Sequence, residues 1–359
     1  IRSGAYLSQN NLFDKHHVPI DRLINPEQVV TDQITELLSH PGALEVLDFA
    51  EGRVQLVAMR AYLGGPLVGQ ALRFLSEHMP NIDTRVAAIF RRGQPIIPTG
   101  DTVIETDDEV FFIAAREHIT AVMGELRKAE KPYRRVIIAG GGNIGTRLAN
   151  DTEDSYDVRI MEVNPERAQN LADQLNQAVV IQGSATDRDL LLEENIDQCD
   201  AFCAVTDDDE INVMSSLMAK RLGARQVVTL IGKPAYVDLV QGSEIDVAIS
   251  PQQATIGTLL SYVRRADVAK VHSLRRGAAE AMEAIAHGDR SSSKVVGRRI
   301  SEIKLPAGVT IGAIVRDDEV LIAHDDVIVA SDDHVILFLV DKGQVGAVER
   351  LFQVGLTFF

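Results

Sequence analysis

Three glycines carry the first chemical signal. In Gly140-Gly141-Gly142-Asn143-Ile144-Gly145 the spacing is G-x-G-x-x-G, directly after the apolar run Arg135-Val136-Ile137-Ile138-Ala139. Such a loop suits phosphate chemistry. The first glycine permits a tight strand-to-helix turn, the second lets the backbone touch a pyrophosphate, and the third lets the helix pack closely on the strand. Amides of the first helical turn, helped by the helix dipole, then hold the anion. The pattern alone is weak, because glycines make turns everywhere, so its surroundings decide. Ile144 and Leu148 follow at helical spacing, and a second run, Val158-Arg159-Ile160-Met161, ends on Glu162, 22 residues after Gly140. A carboxylate there accepts hydrogen bonds from the adenosine ribose hydroxyls and repels a 2′-phosphate, favouring NAD over NADP. The bland alternative is a structural glycine turn beside an exposed Glu162.

The elements that position this loop follow in order. Val179-Val180-Ile181 reads as a third strand, 201–205 as a fourth, 227–231 as a fifth and 245–249 as a sixth. Ligands of such sheets sit at the carboxyl ends of the strands, which brings Thr206 and Asp207 to the nucleotide. Asp207 has an equal alternative as a helix-start carboxylate, and Asp208 and Asp209 read as helix-start residues. The stretch Asn150-Asp151-Thr152-Glu153-Asp154-Ser155 is a poor end for a helix packed on a sheet.

Other chemistries lack their residues. His272, His287, His324 and His334 are scattered, and none pairs with a carboxylate at a telling spacing. His287, in Ala286-His287-Gly288, reads as a surface residue at a helix end. No serine nucleophile elbow, Walker lysine or metal-ligand cluster is present, so neither catalytic nor metal residues are assigned. Cys199 and Cys203 flank what reads as a buried strand; two cysteines cannot build a structural zinc site alone, and a reducing cytosol suits them. The formal charge is −16 and aromatic residues are 5% of the chain, without Trp. Both disfavour nucleic-acid binding. No apolar run reaches the ~18–20 residues of a membrane-spanning helix, and no signal peptide is evident.

A long repeat organises the 359 residues. Ile20-Asp21-Arg22-Leu23-Ile24-Asn25-Pro26 resembles Ile245-Asp246-Val247-Ala248-Ile249-Ser250-Pro251, Ala88-Ile89-Phe90-Arg91 resembles Ala313-Ile314-Val315-Arg316, and Asp107-Asp108 matches Asp332-Asp333, all 225 positions apart. Val68-Gly69 matches Val296-Gly297 at 228. Each copy ends in a smaller region: strands at 309–315 and 334–340 with a helix at 344–352, mirrored by strands at 85–90 and 109–114 with a helix at 118–126. Ile1 to Tyr6 resembles Ile231 to Tyr236, so the first copy is expected to lack its own phosphate loop, with roughly one hundred residues missing upstream. Residues 128–133 read as a linker and 288–293 as a surface loop. After Pro251, Ile256, Leu259, Leu260 and Val263 fall on one helical face, suited to an interface between Rossmann units or to packing within the chain.

Taken together, the phosphate loop with Glu162, Gly183-Ser184-Ala185-Thr186-Asp187, the run from Ala204 to Asn212, and Asp246, Ile249 and Pro251 resemble the RCK (or KTN) domain. Two tandem copies resemble the TrkA family, the peripheral NAD-binding components of bacterial Trk potassium uptake. The fold implied is α/β: a Rossmann-type doubly wound parallel sheet plus small α+β RCK C-terminal subdomains, in tandem repeat. Its boundaries would be 1–40, the end of a first Rossmann domain; 41–130, its C-terminal subdomain; 131–262, the second Rossmann domain; and 263–359, the second C-terminal subdomain. The cofactor-binding set is Gly140, Gly141, Gly142, Asn143, Ile144, Gly145, Glu162, Thr206 and Asp207, for NAD⁺ or NADH, with ATP or ADP as alternatives. The resemblance further implies a membrane potassium-translocating partner of the Trk type, a homo-oligomeric dimer or tetramer ring, and a place on the cytoplasmic face of the inner membrane. The competing functions are an NAD-dependent oxidoreductase and a regulator of another cation channel or antiporter.

Overall fold

The computed structural model describes residues 24–127, 131–240, 244–263, 268–274 and 279–354. Helix α1 (Pro26–Ser39) precedes strands β1 (Ala43–Phe49), β2 (Val54–Arg60), β3 (Thr84–Arg91), β4 (Gln94–Ile96) and β5 (Glu109–Ala115), with short helices α2 (Leu75–His78) and α3 (Ile119–Met123). A strand–helix alternation follows: β6 (Arg135–Ala139), α4 (Asn143–Thr152), β7 (Asp157–Glu162), α5 (Pro165–Gln174), β8 (Val179–Gln182), α6 (Arg188–Glu193), β9 (Ala201–Ala204), α7 (Asp209–Leu222), β10 (Gln226–Leu230), α8 (Pro234–Leu239), β11 (Val247–Ile249) and α9 (Pro251–Val263). The chain then forms β12 (Val268–Leu274), β13 (Ala279–Ile285), β14 (Val309–Arg316), β15 (Glu319–Ile322), β16 (His334–Leu339) and α10 (Val345–Phe352). Among these residues, 24–41 and 132–255 form one compact unit, and 42–127, 131 and 256–354 another.

The first unit holds a six-stranded parallel sheet in the order β11-β10-β9-β6-β7-β8. The chain enters at β6, winds outward to β8, and returns beside β6 at β9 before winding the other way. That reversal is the topological switch point of a doubly wound sheet, as the sequence reading requires. Val136, Ile137, Ile138 and Ala139 are fully buried, as a central parallel strand covered on both faces must be. Tyr133 departs from its reading as linker: it is buried, and its hydroxyl donates to Gln226 Oε1 at 2.8 Å. Cys199 precedes β9 rather than lying within it, while Cys203 is inside. Burial pushes the Cys199 thiol up to about 12 and the Cys203 thiol higher still, so neither forms thiolate at neutral pH.

The polar end of α4 has a specific use. Glu153 is buried and accepts hydrogen bonds from the amides of Asn176, Gln177 and Ala178 at 3.0, 2.8 and 2.9 Å. Burial pushes its carboxyl upward, but the amides together outweigh that and hold its pKa below the ordinary glutamate value. It ties the end of α4 to the turn that launches β8. Helix α1 joins the same unit: Asn25 Oδ1 caps it by accepting from Glu27 N at 3.0 Å, and Arg147 of α4 donates to Gln28 Oε1 at 2.8 Å.

The second unit contains two modules with matching antiparallel sheets, ordered β1-β2-β5-β3-β4 and β12-β13-β16-β14-β15. The hairpins β1–β2 and β12–β13 are not legible in the sequence, yet they too lie 225 positions apart. His287 consequently follows a strand, not a helix, and its Nδ1 lies 3.0 Å from Asp332 Oδ1. Gly69 and Gly297 are equivalent: both have positive φ, 85° and 73°, and donate to Ile104 O and Val329 O. Arg91 clamps buried Asp108 through Nε and Nη2 at 2.9 and 2.8 Å, and Arg316 clamps buried Asp333 at 2.8 Å twice. One core spans both modules, with Phe90, Phe111 and Ile113 from the first and Ala313, Val315 and Phe338 from the second.

Helix α9 divides the expected apolar face between solvent and core. Ile256 and Leu259 are 42% and 47% exposed, whereas Leu260 packs on the core of the second module and Gly257 is buried against β12. A Cβ at Gly257 would lie 3.1 Å from Val271 O, so the close approach itself selects the buried side. The side chain of Val263, the segment Ile1 to Tyr6, the start of the 20–26 repeat match and residues 128–130 of the linker lie outside the described residues.

Candidate nucleotide-binding site

The loop after β6 shows why each glycine stands where it does. Gly140 has φ +110°, a conformation L side chains avoid, and a Cβ there would sit 2.9 Å from Thr206 Cγ2 and Thr206 N. A Cβ at Gly141 would meet Leu171 Cδ1 at 2.4 Å. A Cβ at Gly145 would lie 1.9 Å from Gly140 O, so the helix can approach the strand only without a side chain there. Gly142 is different: nothing lies within 4 Å of its Cβ position. Its missing side chain answers no crowding inside the protein and leaves space in front of the loop.

Gly142 is also the N-cap of α4, in extended backbone with no side-chain cap, and Asn143, Ile144 and Gly145 supply the first helical turn. Amides of that turn have no carbonyl one turn back to bond. Open space before such amides, with the positive end of the helix dipole behind them, is a built anion cradle. The residues of this loop could hold a phosphate group of a nucleotide. Asn143 is exposed, and its Nδ2 donates to Glu27 Oε1 at 3.1 Å.

Glu162 ends β7 beside this cradle, with its side chain 5% exposed. Oε2 accepts from Gly141 N at 2.9 Å and Oε1 from Asn164 N at 2.8 Å. The carboxylate thus braces the loop, and its remaining lone pairs are what a ribose hydroxyl would use. It is not the exposed Glu of the bland alternative. Arg167 lies 3.6 Å from Oε2, a neighbour the sequence reading did not single out.

Thr206 follows β9 at the switch point and packs against Gly140. Its amide and hydroxyl donate to Asn212 Oδ1 at 2.9 and 2.7 Å, while Asn212 Nδ2 donates to Thr206 O and to Leu230 O, both at 3.0 Å. Fully buried Asn212 therefore pins the ends of β9 and β10 together. Asp207 is exposed beside this lock. Asp208 is a helix-start residue as read, capping α7 by accepting from Ile211 N at 2.9 Å. Asp209 does more: it is buried and accepts from Gly232 N and Lys233 N at 2.7 and 2.8 Å, fixing the loop after β10. Roles of this kind belong to tertiary contacts between loops, and the run of acids alone gives no sign of them.

The four histidines after the phosphate loop all belong to the second unit. His324 and His334 pair with Asp83 and Glu283 at 2.8 and 2.5 Å, partners far off in sequence. Among the described residues, no group of three or more His, Cys, Asp or Glu is placed to hold a metal ion.

Comparison with known proteins decides the family. The TrkA-N domain model matches residues 136–251, and the TrkA-C domain model matches twice, at 56–127 and 290–353. The Trk system potassium uptake protein TrkA of Halomonas elongata is 66% identical over 359 residues, which cover the whole chain and 79% of that protein. The chain belongs to the TrkA family. Its counterpart in Vibrio alginolyticus is 60% identical over 98% of the chain and 77% of the relative, and that of Haemophilus influenzae 48% over 100% and 78%. The crystal structure of the GsuK RCK domain, 18% identical, superposes with a TM-score of 0.51 over 92% of this chain and 70% of that one. At that identity the likeness concerns the fold, and it is the tandem RCK α/β fold. No helix among the described residues is long and apolar enough to cross a membrane.

Proposed function

We propose that this chain is a nucleotide-sensing regulatory subunit of potassium uptake, binding NAD⁺ or NADH on its parallel-sheet unit. The observation that carries the nucleotide reading is the vacant Cβ position of Gly142 before uncapped helix amides. Gly140, Gly141, Gly142, Asn143, Ile144 and Gly145 would cradle the diphosphate, Glu162 would accept from the adenosine ribose, and Thr206 and Asp207 would border the ligand at the switch point. ATP or ADP would offer the same cradle a similar diphosphate. The role is regulatory rather than catalytic, in keeping with relatives named for potassium uptake. We assign the two Rossmann-type segments to 1–40 and 131–262, and the C-terminal subdomains to 41–130 and 263–359.

The partner is a membrane potassium-translocating subunit of the Trk type, met from the cytoplasmic side by a homo-oligomeric ring of these chains. The relatives' names support a potassium partner, and the charge of −16 suits it. Cytoplasmic loops of membrane proteins carry excess Lys and Arg, and opposite charges speed encounter. Nucleotide exchange shifts transport only as far as the ligands discriminate between two ring states; roughly 1–3 kcal/mol of coupling corresponds to about fivefold to 150-fold.

The test is Gly142→Asp, which places a carboxylate in the cradle. NADH at ~100 times its Kd is expected to stabilise the unaltered chain by ~2.7 kcal/mol, and the variant not at all. An NADH-dependent melting shift that survives the substitution would remove the loop from the site. In cells, potassium uptake with the same substitution is expected to lose its response to energy status; uptake matching the unaltered protein would sever the site from transport.

A further inference from the structure

Where β1 ends, three consecutive residues are each held by the second module. Asp48 O accepts from Lys270 Nζ of β12. The Phe49 ring meets the His272 ring edge-on, with centroids 5.2 Å apart and planes at 83°. Ala50 N donates to Glu283 Oε2 of β13, whose Oε1 pairs with His334 of β16. This strap leads into the β1–β2 turn, in which Ala50 and Glu51 take φ of 46° and 57°. Such left-handed backbone suits Gly or Asn better than either residue, so the turn leans on contacts outside itself.

The repeat shows that the fold does not require the histidine. His272 lies 225 positions after Leu47, and Phe49 lies 225 before Leu274; both leucines are buried in the shared core. One copy meets this position with leucine and the other with a side chain that titrates. His272 is half-buried as a whole, but its Nε2 is shielded and has no hydrogen-bond partner. A proton on the ring would find little to stabilise it. Lys270, at the next position on the same face of β12, is itself a cation. Glu283 of β13 stands opposite Lys270 in register but is occupied by Ala50 N and His334. Glu280, at the alternate position of β13, belongs to the other face. Asp48 of β1 is the remaining acid, and its carboxylate already accepts from Gln55 and Arg116. Gly257 of α9 lies against the backbone of His272, and α9 carries no Asp, Glu, Lys, Arg or His. Burial, with Lys270 adding to it, pushes the His272 ring down to about 4, against a smaller upward pull from Asp48.

We propose that His272 is an acid-sensitive latch between the two antiparallel modules: while neutral it closes the strap at residues 48–50, and its protonation releases that strap from β12. The sign follows from linkage. A ring held neutral in the fold binds fewer protons than the same ring in the released state. The latch is therefore fully closed above the ordinary histidine value of 6.5, and weakens by up to about tenfold per pH unit as the pH falls toward the folded value. Leucine in the same place would close the strap at every pH.

Hydrogen exchange of the full chain, read by mass spectrometry on peptides covering residues 44–51, tests it at about pH 7.5 and 5.5. Rates are divided by the intrinsic rate at each pH, so that only protection is compared. In the unaltered chain, protection of this segment is expected to fall about tenfold at the lower pH. In His272→Leu, which installs the residue of the other copy, it is expected to stay level. Equal losses in the two proteins would overturn the proposal. Glu283→Gln removes the charge that His334 faces and is expected to keep the acid response; a response abolished there would belong to His334 and would overturn the proposal as well. Should His272→Leu fail to fold, deuteration of the histidine C2 positions reads each ring in the unaltered chain. His272 is expected to titrate below pH 5, and titration at its ordinary value would leave no latch.

Discussion

Single residues in the nucleotide unit divide by how far their partners lie along the chain. Gly140, Gly142, Gly145 and Glu162 are legible in the sequence because the strand–turn–helix–strand run itself calls for them, although Gly140 also packs on the distant Thr206. Glu153 is not legible, since its three amide partners lie more than twenty residues on and nothing local marks it. Asn212 and Asp209 are hidden for the same reason. Glu153→Ala leaves three amides without their acceptor and is expected to destabilise the fold by about 1–3 kcal/mol. Its pH dependence has a definite sign. A carboxyl whose folded-state pKa is depressed contributes stability fully above its unfolded value, and that contribution is lost as the pH falls through the folded value. Urea titrations carried from neutral pH to below the ordinary glutamate value of 4.5 are expected to show a flatter acid limb for Glu153→Gln than for the unaltered chain. Parallel limbs would mean that the amides bind the neutral side chain equally well.

At the scale of elements, the repeat reveals what local propensity conceals. Strand β13 reads Ala-Glu-Ala-Met-Glu-Ala-Ile, a string of good helix formers with one β-branched residue. It is a strand because β12 and β16 pair with it on both edges, and tertiary pairing overrides propensity. Its two glutamates, Glu280 and Glu283, are buried, which no amphipathic pattern announces. Glu283 Oε2 accepts from Ala50 N of the other module at 2.9 Å. The Arg91–Asp108 and Arg316–Asp333 clamps occupy the same place in each sheet, and each Asp also accepts from a backbone amide, Glu105 N or Ala330 N. Equal geometry predicts equal cost. Asp108→Ala and Asp333→Ala are each expected to lose about 2–4 kcal/mol, less than a wholly buried pair because both Arg side chains are partly solvated. Denaturant midpoints of the two variants side by side test this. A large loss in only one would show that one copy has drifted to a different means of support.

At the scale of the whole chain, the two small modules share a core and therefore a fate. Phe111 and Phe338 meet with ring centroids 5.8 Å apart, and a Cβ at Gly312 would lie 3.0 Å from Ile113 Cδ1. Phe111→Ala is expected to cost about 3–5 kcal/mol and to lower the melting of both modules in one calorimetric transition. Two transitions, with only the first displaced, would show that the modules are energetically separate. The sequence reading of these regions as two subdomains is compatible with their repeat spacing, but spacing cannot show that they merge, because the apolar residues of a shared core look like those of two private ones. The merger has a consequence during synthesis. Phe338 leaves the ribosome 227 residues after Phe111, which at about 5–20 residues per second is a delay of roughly 10 to 45 s. For most of that interval the first module is complete in sequence but bare on its Phe90–Phe111 face, while the parallel sheet is still being made between the two halves. The growing chain thus carries an unsatisfied apolar surface through the middle of its own translation, and nascent-chain chaperones would meet it there rather than at the finished protein.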